Sequence, residues 1–357
     1  MNLKDRISAF ARLGHFMREL EIPAARPEFN HPEEETCFDQ LQLEIVDAPH
    51  YNGWFTEANV RKAISSPGHS MTPENLEKWM EPYAERIERD EDTRRIGLVM
   101  AGNIPAVGFH DLMCVLITGN QVKAKLSSDD NRLIPALTRL LVAIEPEFAD
   151  SFFFTRDQLK DLDAIIATGS NNSARYFEYY FGKYPHIIRK NRNGVAVLNG
   201  EETPEELHLL CSDVFSYYGL GCRNVSHVFV PKNYDFIPFL DACQQWSTIN
   251  DNHKYFNNYE YNKAIFLVNS TPHFDAGNLL LTENSGLASA VSVLHYETYS
   301  DRGELGKQLE MLNDQIQCIV TKDGLFTSGV SFGKSQEPRL WDYADGIDTV
   351  EFLTGIR

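Results

Sequence analysis

Cys222 has the surroundings that covalent chemistry would ask of a residue in this 357-residue sequence. It follows Gly219-Leu220-Gly221 and precedes Arg223 and Asn224. The glycines break the helical pattern and expose the sulfur. The neighbouring donors could draw the thiol below its ordinary value of about 8.5, as a nucleophilic thiolate requires. A structural loop cysteine would have the same neighbours, so the residue alone leaves both roles open. Cys114 and Cys318 lie inside apolar runs, Cys211 and Cys243 in helical segments, and Cys37 in the helical N-terminal region. Cysteine in such places acts as a small core hydrophobe. Gly169-Ser170 could turn backbone N–H groups onto a phosphate, or cap an ordinary helix. Asn103, in Gly102-Asn103-Ile104-Pro105, could offer its amide to a developing oxyanion, or serve only as a turn residue.

Several other chemistries fail on order or charge. Gly329-Val330-Ser331-Phe332-Gly333 matches the nucleophile elbow of serine hydrolases, which places its histidine after the serine. The last histidine here is His295, so the order is wrong. The eleven histidines are scattered without an H-E-x-x-H pair, and no metal site is expected. A formal net charge of -18 with no Lys/Arg-rich run argues against nucleic acid as a partner. No stretch is long and apolar enough to span a bilayer. The N-terminus is amphipathic and charged, unlike a signal peptide. Six dispersed cysteines without a C-x-x-C pair suit reduced thiols, hence a cytoplasmic location.

The elements that must position these residues alternate in type. Residues 1–93 read as mainly helical, with Ile7, Phe10, Ala11, Leu13, Phe16, Met17 and Leu20 on one face and Thr72-Pro73 opening a later helix. From Arg95 the texture changes to strands at Ile96–Ala101, Gln121–Leu126, Ser151–Thr155 and Ala164–Thr168. Helical runs lie between them, one capped by Ser127-Ser128-Asp129-Asp130. This alternation predicts an α/β fold with a doubly wound parallel sheet, whose ligands sit at the carboxyl ends of strands. The turns at Asn103, Lys125–Ser128 and Gly169-Ser170 all fall on that edge. A second unit begins near Gly194, with a capping box at Thr203–Glu206 opening a helix to Tyr217-Tyr218. The expected division is 1–193 for the helical region and nucleotide-binding domain, 194–330 for a catalytic domain, and 331–357 for a closing or oligomerisation segment.

Gly102-Asn103-Ile104-Pro105, Lys123-Ala124-Lys125, Ala167-Thr168-Gly169-Ser170 and Gly219–Val230 occur in the order of the aldehyde dehydrogenase superfamily. The sequence most resembles the Lux-type acyl-CoA reductases within it. The resemblance runs from Arg95 to the tail, where Ser331-Phe332-Gly333 and Trp341–Gly346 look like the family's closing segment. It implies that Cys222 attacks a thioester carbonyl, with Asn103 and the Cys222 N–H as oxyanion donors. It places Lys125 at the adenosine ribose, Gly169 and Ser170 at the pyrophosphate, and Glu283 at the nicotinamide ribose. The implied substrate is an acyl-CoA or acyl-protein thioester, and the implied assembly a homo-oligomer, such as a dimer.

Two departures refine the expectation. The glutamate that activates water in hydrolytic relatives is replaced by Ile188 or Arg189, with no carboxylate expected nearby. The acyl group would then pass to a thiol or be reduced. NAD-preferring relatives carry a glutamate after the lysine, where this chain has Ser127 and Ser128. Serine there tolerates a 2′-phosphate, so NADPH is the expected cofactor and NADH the alternative. The same residues also fit a CoA-acylating dehydrogenase working oxidatively, or a non-catalytic nucleotide-binding relative.

Overall fold

The computed structural model describes residues 1–90, 92–322, 326 and 329–356. The chain forms two compact units, residues 1–190 with 338–357, and residues 191–337.

The first unit opens with helices α1 (Leu3–Glu19), α2 (Pro32–Tyr51), α3 (Glu57–Ser70), α4 (Pro73–Met80) and α5 (Ala84–Arg89). The apolar face of α1 is buried at Phe10, Leu13, Phe16 and Met17, and Thr72 caps α4 by accepting from the Asn75 N–H at 3.2 Å. Then follow β1 (Arg95–Val99), α6 (Phe109–Ile117), β2 (Gln121–Lys125), α7 (Leu133–Ile144), β3 (Phe152–Phe154), β4 (Ala164–Thr168), α8 (Asn171–Phe181) and β5 (His186–Arg189). Their sheet has the order β3-β2-β1-β4-β5 and every pairing is parallel. Parallel strands are covered on both faces, which explains why β1 and β4 read as unbroken apolar runs. The chain leaves β1 in one direction through β2 to β3, then returns to β4 on the other side. Such a switch of direction opens a crevice at the carboxyl ends of β1 and β4.

The second unit contains β6 (Asn193–Val197), α9 (Pro204–Phe215), β7 (Val225–Pro231), α10 (Ile237–Gln244), α11 (His253–Val268), β8 (Phe274–Asp275), β9 (Leu280–Glu283), β10 (Val293–Tyr299), α12 (Arg302–Met311) and β11 (Ile316–Thr321). Its sheet runs β11-β6-β7-β10-β9-β8, parallel except for the β8–β9 pair. The capping box forms as the sequence predicts. The helix it opens ends earlier than expected, at Phe215, because Tyr217 and Tyr218 take left-handed backbone angles (φ 51° and 59°).

The last segment splits. Residues 331–337 stay with the second unit, and Pro338–Arg357 rejoins the first. There α13 (Thr349–Thr354) follows a stretch in which the Tyr343 hydroxyl accepts from Trp79 Nε1 at 2.7 Å. Asp348 accepts from the Tyr83 hydroxyl at 2.5 Å.

Candidate functional site

Cys222 is the exposed cysteine of the six, and none of the six is in a disulfide. It occupies a turn between α9 and β7, closed by the Asn224 N–H donating to the Gly221 carbonyl at 3.0 Å. Asn224 is buried and holds this turn from below. Its amide donates to the carbonyls of Asp213 at 3.0 Å and Ser216 at 2.8 Å, while its oxygen accepts from the Gly221 N–H at 2.8 Å. The carbonyls that α9 leaves without helical partners are thus satisfied by the residue two places beyond Cys222. Gly194 in β6 makes room for this. A Cβ on Gly194 would lie 2.6 Å from the Asn224 carbonyl oxygen and 2.7 Å from that of Arg223. Two left-handed tyrosines and Gly219, at φ 75°, bring the chain out of α9 into the turn. Left-handed backbone costs a non-glycine residue about 1–2 kcal/mol, offset here by the Asn224 hydrogen bonds.

Four of the other cysteines are held as thiols by burial. Burial pushes Cys318 up to about 11, with Arg223 acting in the opposite sense, and its sulfur donates to the Arg223 carbonyl at 3.7 Å. Burial raises Cys114 and Cys243 well above the ordinary value and Cys37 to a smaller extent.

The remaining expected site residues of the first unit share the carboxyl edge of its sheet. Lys125 is exposed at the end of β2, level with Val99 of β1. Asn103 is exposed in the turn after β1. That turn touches the next one: a Cβ on Gly102 would fall 2.5 Å from Ser127 Oγ. Ser127 bridges to Asp130, with Ser128 exposed between them. Of the four residues expected to cap α7, Asp130 makes the contacts, accepting from the Leu133 N–H at 3.4 Å and from the Ala106 N–H at 2.7 Å. One carboxylate therefore ties the Asn103 turn to the start of α7. Gly169 lies under α8, where a Cβ would come within 2.8 Å of Ser173 Cβ. Ser170 is the N-cap of α8, accepting from the Ser173 N–H at 3.2 Å. Of the two expectations for Gly169-Ser170, the helix cap is the one that this hydrogen bond realises.

Burial raises the Asp130 carboxyl to about 6, against the opposing pull of its backbone hydrogen bonds. A carboxyl raised in the folded state favours the protonated fold. Its contribution is fully present below the unfolded value near 3.8 and is lost as pH rises through 6. That rise corresponds to about 3 kcal/mol. We expect Tm to fall between pH 4.5 and 7.5, and Asp130→Asn to flatten that fall. An unchanged slope in the variant would remove Asp130 as its source.

Glu283 and Cys222 are on the second unit, Asn103, Lys125, Ser128, Gly169 and Ser170 on the first. Glu283 is exposed at the end of β9, paired with Tyr296, which is paired with Val228. It is therefore level with the middle of β7, not with the turn that precedes that strand.

At the end of β5, Ile188 is half-buried and Arg189 buried. Arg189 pairs with Asp111 of α6 and donates to Thr349 Oγ1 at 3.0 Å. A carboxylate distant in sequence thus reaches this position, already bound to a guanidinium. Arg132, close to Ser128 in sequence, is likewise engaged, with Asp47 at 2.6 Å and Glu44 at 3.7 Å. Lys123 donates to the Lys160 carbonyl at 3.1 Å. Asn224, expected as a donor beside the thiol, instead spends its amide on the Asp213 and Ser216 carbonyls; Asp111 and Asp213 have no signal in the sequence, because their partners lie far along the chain or are backbone groups. Ser331 opens a β-turn closed by the Lys334 N–H at 3.1 Å, with no helix after it as an elbow would need.

No family model matches the sequence, and no curated protein matches it. Solved structures do. Aldehyde dehydrogenase 21 from Physcomitrella patens, determined with the product succinate, aligns over 98% of this chain and 87% of its own, with a TM-score of 0.62 at 13% identity. An NADP-dependent enzyme from E. coli aligns over 90% and 73%, with a TM-score of 0.61 at 12% identity. The aldehyde dehydrogenase KauB from Pseudomonas aeruginosa gives 90% and 72%, a TM-score of 0.61 and 12% identity. The fold is that of the aldehyde dehydrogenases. At such identities the likeness is one of architecture. Among the described residues no helix is long and apolar enough to cross a membrane, and no group of three or more His, Cys, Asp or Glu could hold a metal ion.

Proposed function

We propose that this chain reduces an acyl thioester, acyl-CoA or acyl-protein, to an aldehyde, using NADPH and an acyl-enzyme on Cys222. The observation that carries the proposal is an exposed cysteine on a turn held by buried Asn224, within an aldehyde dehydrogenase fold. The E. coli enzyme among the similar structures is described as NADP-dependent, and the first unit's strand edge offers groups suited to such a dinucleotide. Gly169 leaves the first turn of α8 close over the end of β4, and Lys125 stands exposed two strands away. Lys125 and Ser128 would hold the adenosine side, and Gly169 with the α8 N-terminus the pyrophosphate. Glu283 is carried over as the nicotinamide-ribose residue on resemblance alone.

In the proposed reaction the Cys222 thiolate adds to the thioester carbonyl. The tetrahedral oxyanion collapses, expelling the donor thiolate, which takes a proton from solvent, and leaving an acyl group on Cys222. When bound, the nicotinamide supplies the hydride that carries the acyl carbon to the aldehyde level. Cys222 then departs as thiolate, ready for another substrate. Asn103 is assigned to the oxyanion. The Arg189–Asp111 pair supports reduction over hydrolysis, because a carboxylate held by a buried guanidinium is poorly placed to take a proton from water. Exposed Leu267 and Val268 at the end of α11 (62% and 84%) support a homo-oligomer.

The deciding assay follows the absorbance of reduced cofactor with acyl-CoAs from short to long chain. Consumption of cofactor with aldehyde as product is expected. Given aldehyde, oxidised cofactor and no thiol, the enzyme should stop after about one turnover as acyl-enzyme. Sustained release of free acid would reveal a water-activating base and overturn the reductive assignment. A protein that binds the nucleotide but turns over no acyl-CoA or aldehyde would favour a non-catalytic role.

Cofactor choice gives a separate test. Ser128 is exposed, with no carboxylate in its place, whereas Arg132 is already paired with Asp47. NADPH should be preferred through accommodation at Ser128 and attraction by Lys125. Ser128→Glu should shift kcat/KM toward NADH by repelling the 2′-phosphate. A tenfold preference for NADH in the unmodified enzyme would refute this.

A further inference from the structure

Both residues that follow Cys222 trace back to one residue of α9. Asn224 reaches the Asp213 backbone carbonyl at 3.0 Å. Arg223 reaches it by a longer route, through residues 331–335. The Asp213 carboxylate is buried, and it accepts from the Gly333 N–H at 2.6 Å through one oxygen and from the Ser335 N–H at 3.0 Å through the other. Ser335 is itself fully buried, and its carbonyl accepts from Arg223 Nε. Residues 331–335 form a strap that fits closely over α9. Gly333 has φ 80°, a backbone angle that strains any larger residue, and a Cβ there would lie 2.9 Å from Leu209 Cδ2.

Burying a carboxylate to hold two backbone N–H groups is expensive unless the charge is used. Here it strengthens two hydrogen bonds that fix a carbonyl for a guanidinium, and that guanidinium belongs to the residue next to Cys222. Cys318 senses the same cluster, feeling Arg223, Cys222 and Asp213 together.

We propose that Asp213 is a positioning residue for Cys222: its carboxylate holds the strap, the strap's Ser335 carbonyl holds Arg223, and the turn carrying the thiol keeps one orientation. This rests on the assignment of Cys222 as the nucleophile. Asp213 acts only through other groups, and its removal should slow formation of the acyl-enzyme without weakening nucleotide binding.

The test is a double-mutant cycle in the full chain, with Asp213→Asn, Arg223→Gln and both together. Mass spectrometry follows acylation of Cys222 by acyl-CoA without cofactor, and iodoacetamide alkylation of Cys222 is timed in parallel. Each single variant should acylate at least tenfold more slowly, and the double variant no more than twofold slower than the worse single, because both act along one path. Affinity for the reduced cofactor should be unchanged, and the amide of Ser335 should exchange faster in Asp213→Asn. Additive losses, or acylation within twofold of the unmodified protein in Asp213→Asn, would overturn the proposal. Should Asp213→Asn fail to fold, half-exposed Arg223 decides alone: acylation within twofold in Arg223→Gln would overturn it. Should the unmodified protein accept no acyl group at all, the thioester assignment falls. The alkylation cycle, slowed at least threefold in each single variant and non-additive in the pair, then still decides the positioning role.

Discussion

Cys222→Ala should abolish aldehyde formation while leaving nucleotide binding intact. A thioester carbonyl must be opened by a nucleophile before hydride can be delivered to an enzyme-held acyl group, and thiolate is the strongest such group at neutral pH. None of the other cysteines can substitute. Cys114, Cys211, Cys243 and Cys318 are buried, and burial holds Cys114, Cys243 and Cys318 in the thiol form. Cys37 is partly buried in α2, and burial raises it too. After incubation with acyl-CoA and no cofactor, peptide mass spectrometry should find one acyl adduct, on the peptide containing Cys222. Titration of reduced cofactor by fluorescence should be unchanged in the variant. An adduct on a different cysteine, or residual turnover near that of the unmodified protein, would displace Cys222 from its role.

The second large effect is expected at Asn103. Removing one oxyanion donor typically lowers kcat by about 10²–10³-fold, equivalent to about 3–4 kcal/mol of transition-state stabilisation. Asn103→Ala should therefore leave Cys222 available to iodoacetamide at its normal rate while both acylation and reduction slow by that factor. Asn103 is exposed in the turn that Asp130 ties down, and it makes no part of the core. A stability defect should not confuse the result: Tm is expected within about 1–2 °C of the unmodified protein, in line with the small effects of most surface substitutions. A loss of less than threefold in acylation rate would remove Asn103 from the oxyanion site.

What could be read from the sequence was local. Short apolar runs marked β1 and β4, alternation of polar and apolar residues marked β2, and the periodicity of α1 marked its buried face. Thr72 and Thr203 marked helix starts because an N-cap needs only residues three positions away. The end of α9 was misplaced at Tyr217-Tyr218 because those residues have no intrinsic reason to turn left-handed. Asn224 draws the chain round from outside the helix by taking the carbonyls of Asp213 and Ser216. Arg189 was legible as a replacement for a carboxylate, but its partner Asp111 lies 78 positions away. Asp213 and Gly333 are 120 apart. No pattern of neighbours encodes such pairings. The surroundings of Ser128 had a similar limit, since the Arg132 that lies close to it in sequence is held by Asp47, 85 positions away.

The interrupted path of the chain has a consequence for the order in which the protein is made. Residues 191–337 are contiguous and can fold as soon as they leave the ribosome, whereas the first unit must wait for Pro338–Arg357. Until then Trp79 lacks the Tyr343 hydroxyl, Tyr83 lacks Asp348, and the buried Arg189 lacks Thr349. At a synthesis rate of about 5–20 residues per second, the early helices and their sheet spend on the order of ten to thirty seconds without their last contacts. The half of the molecule that is translated first is therefore the half completed last, and in that interval its exposed apolar surface is open to chaperones.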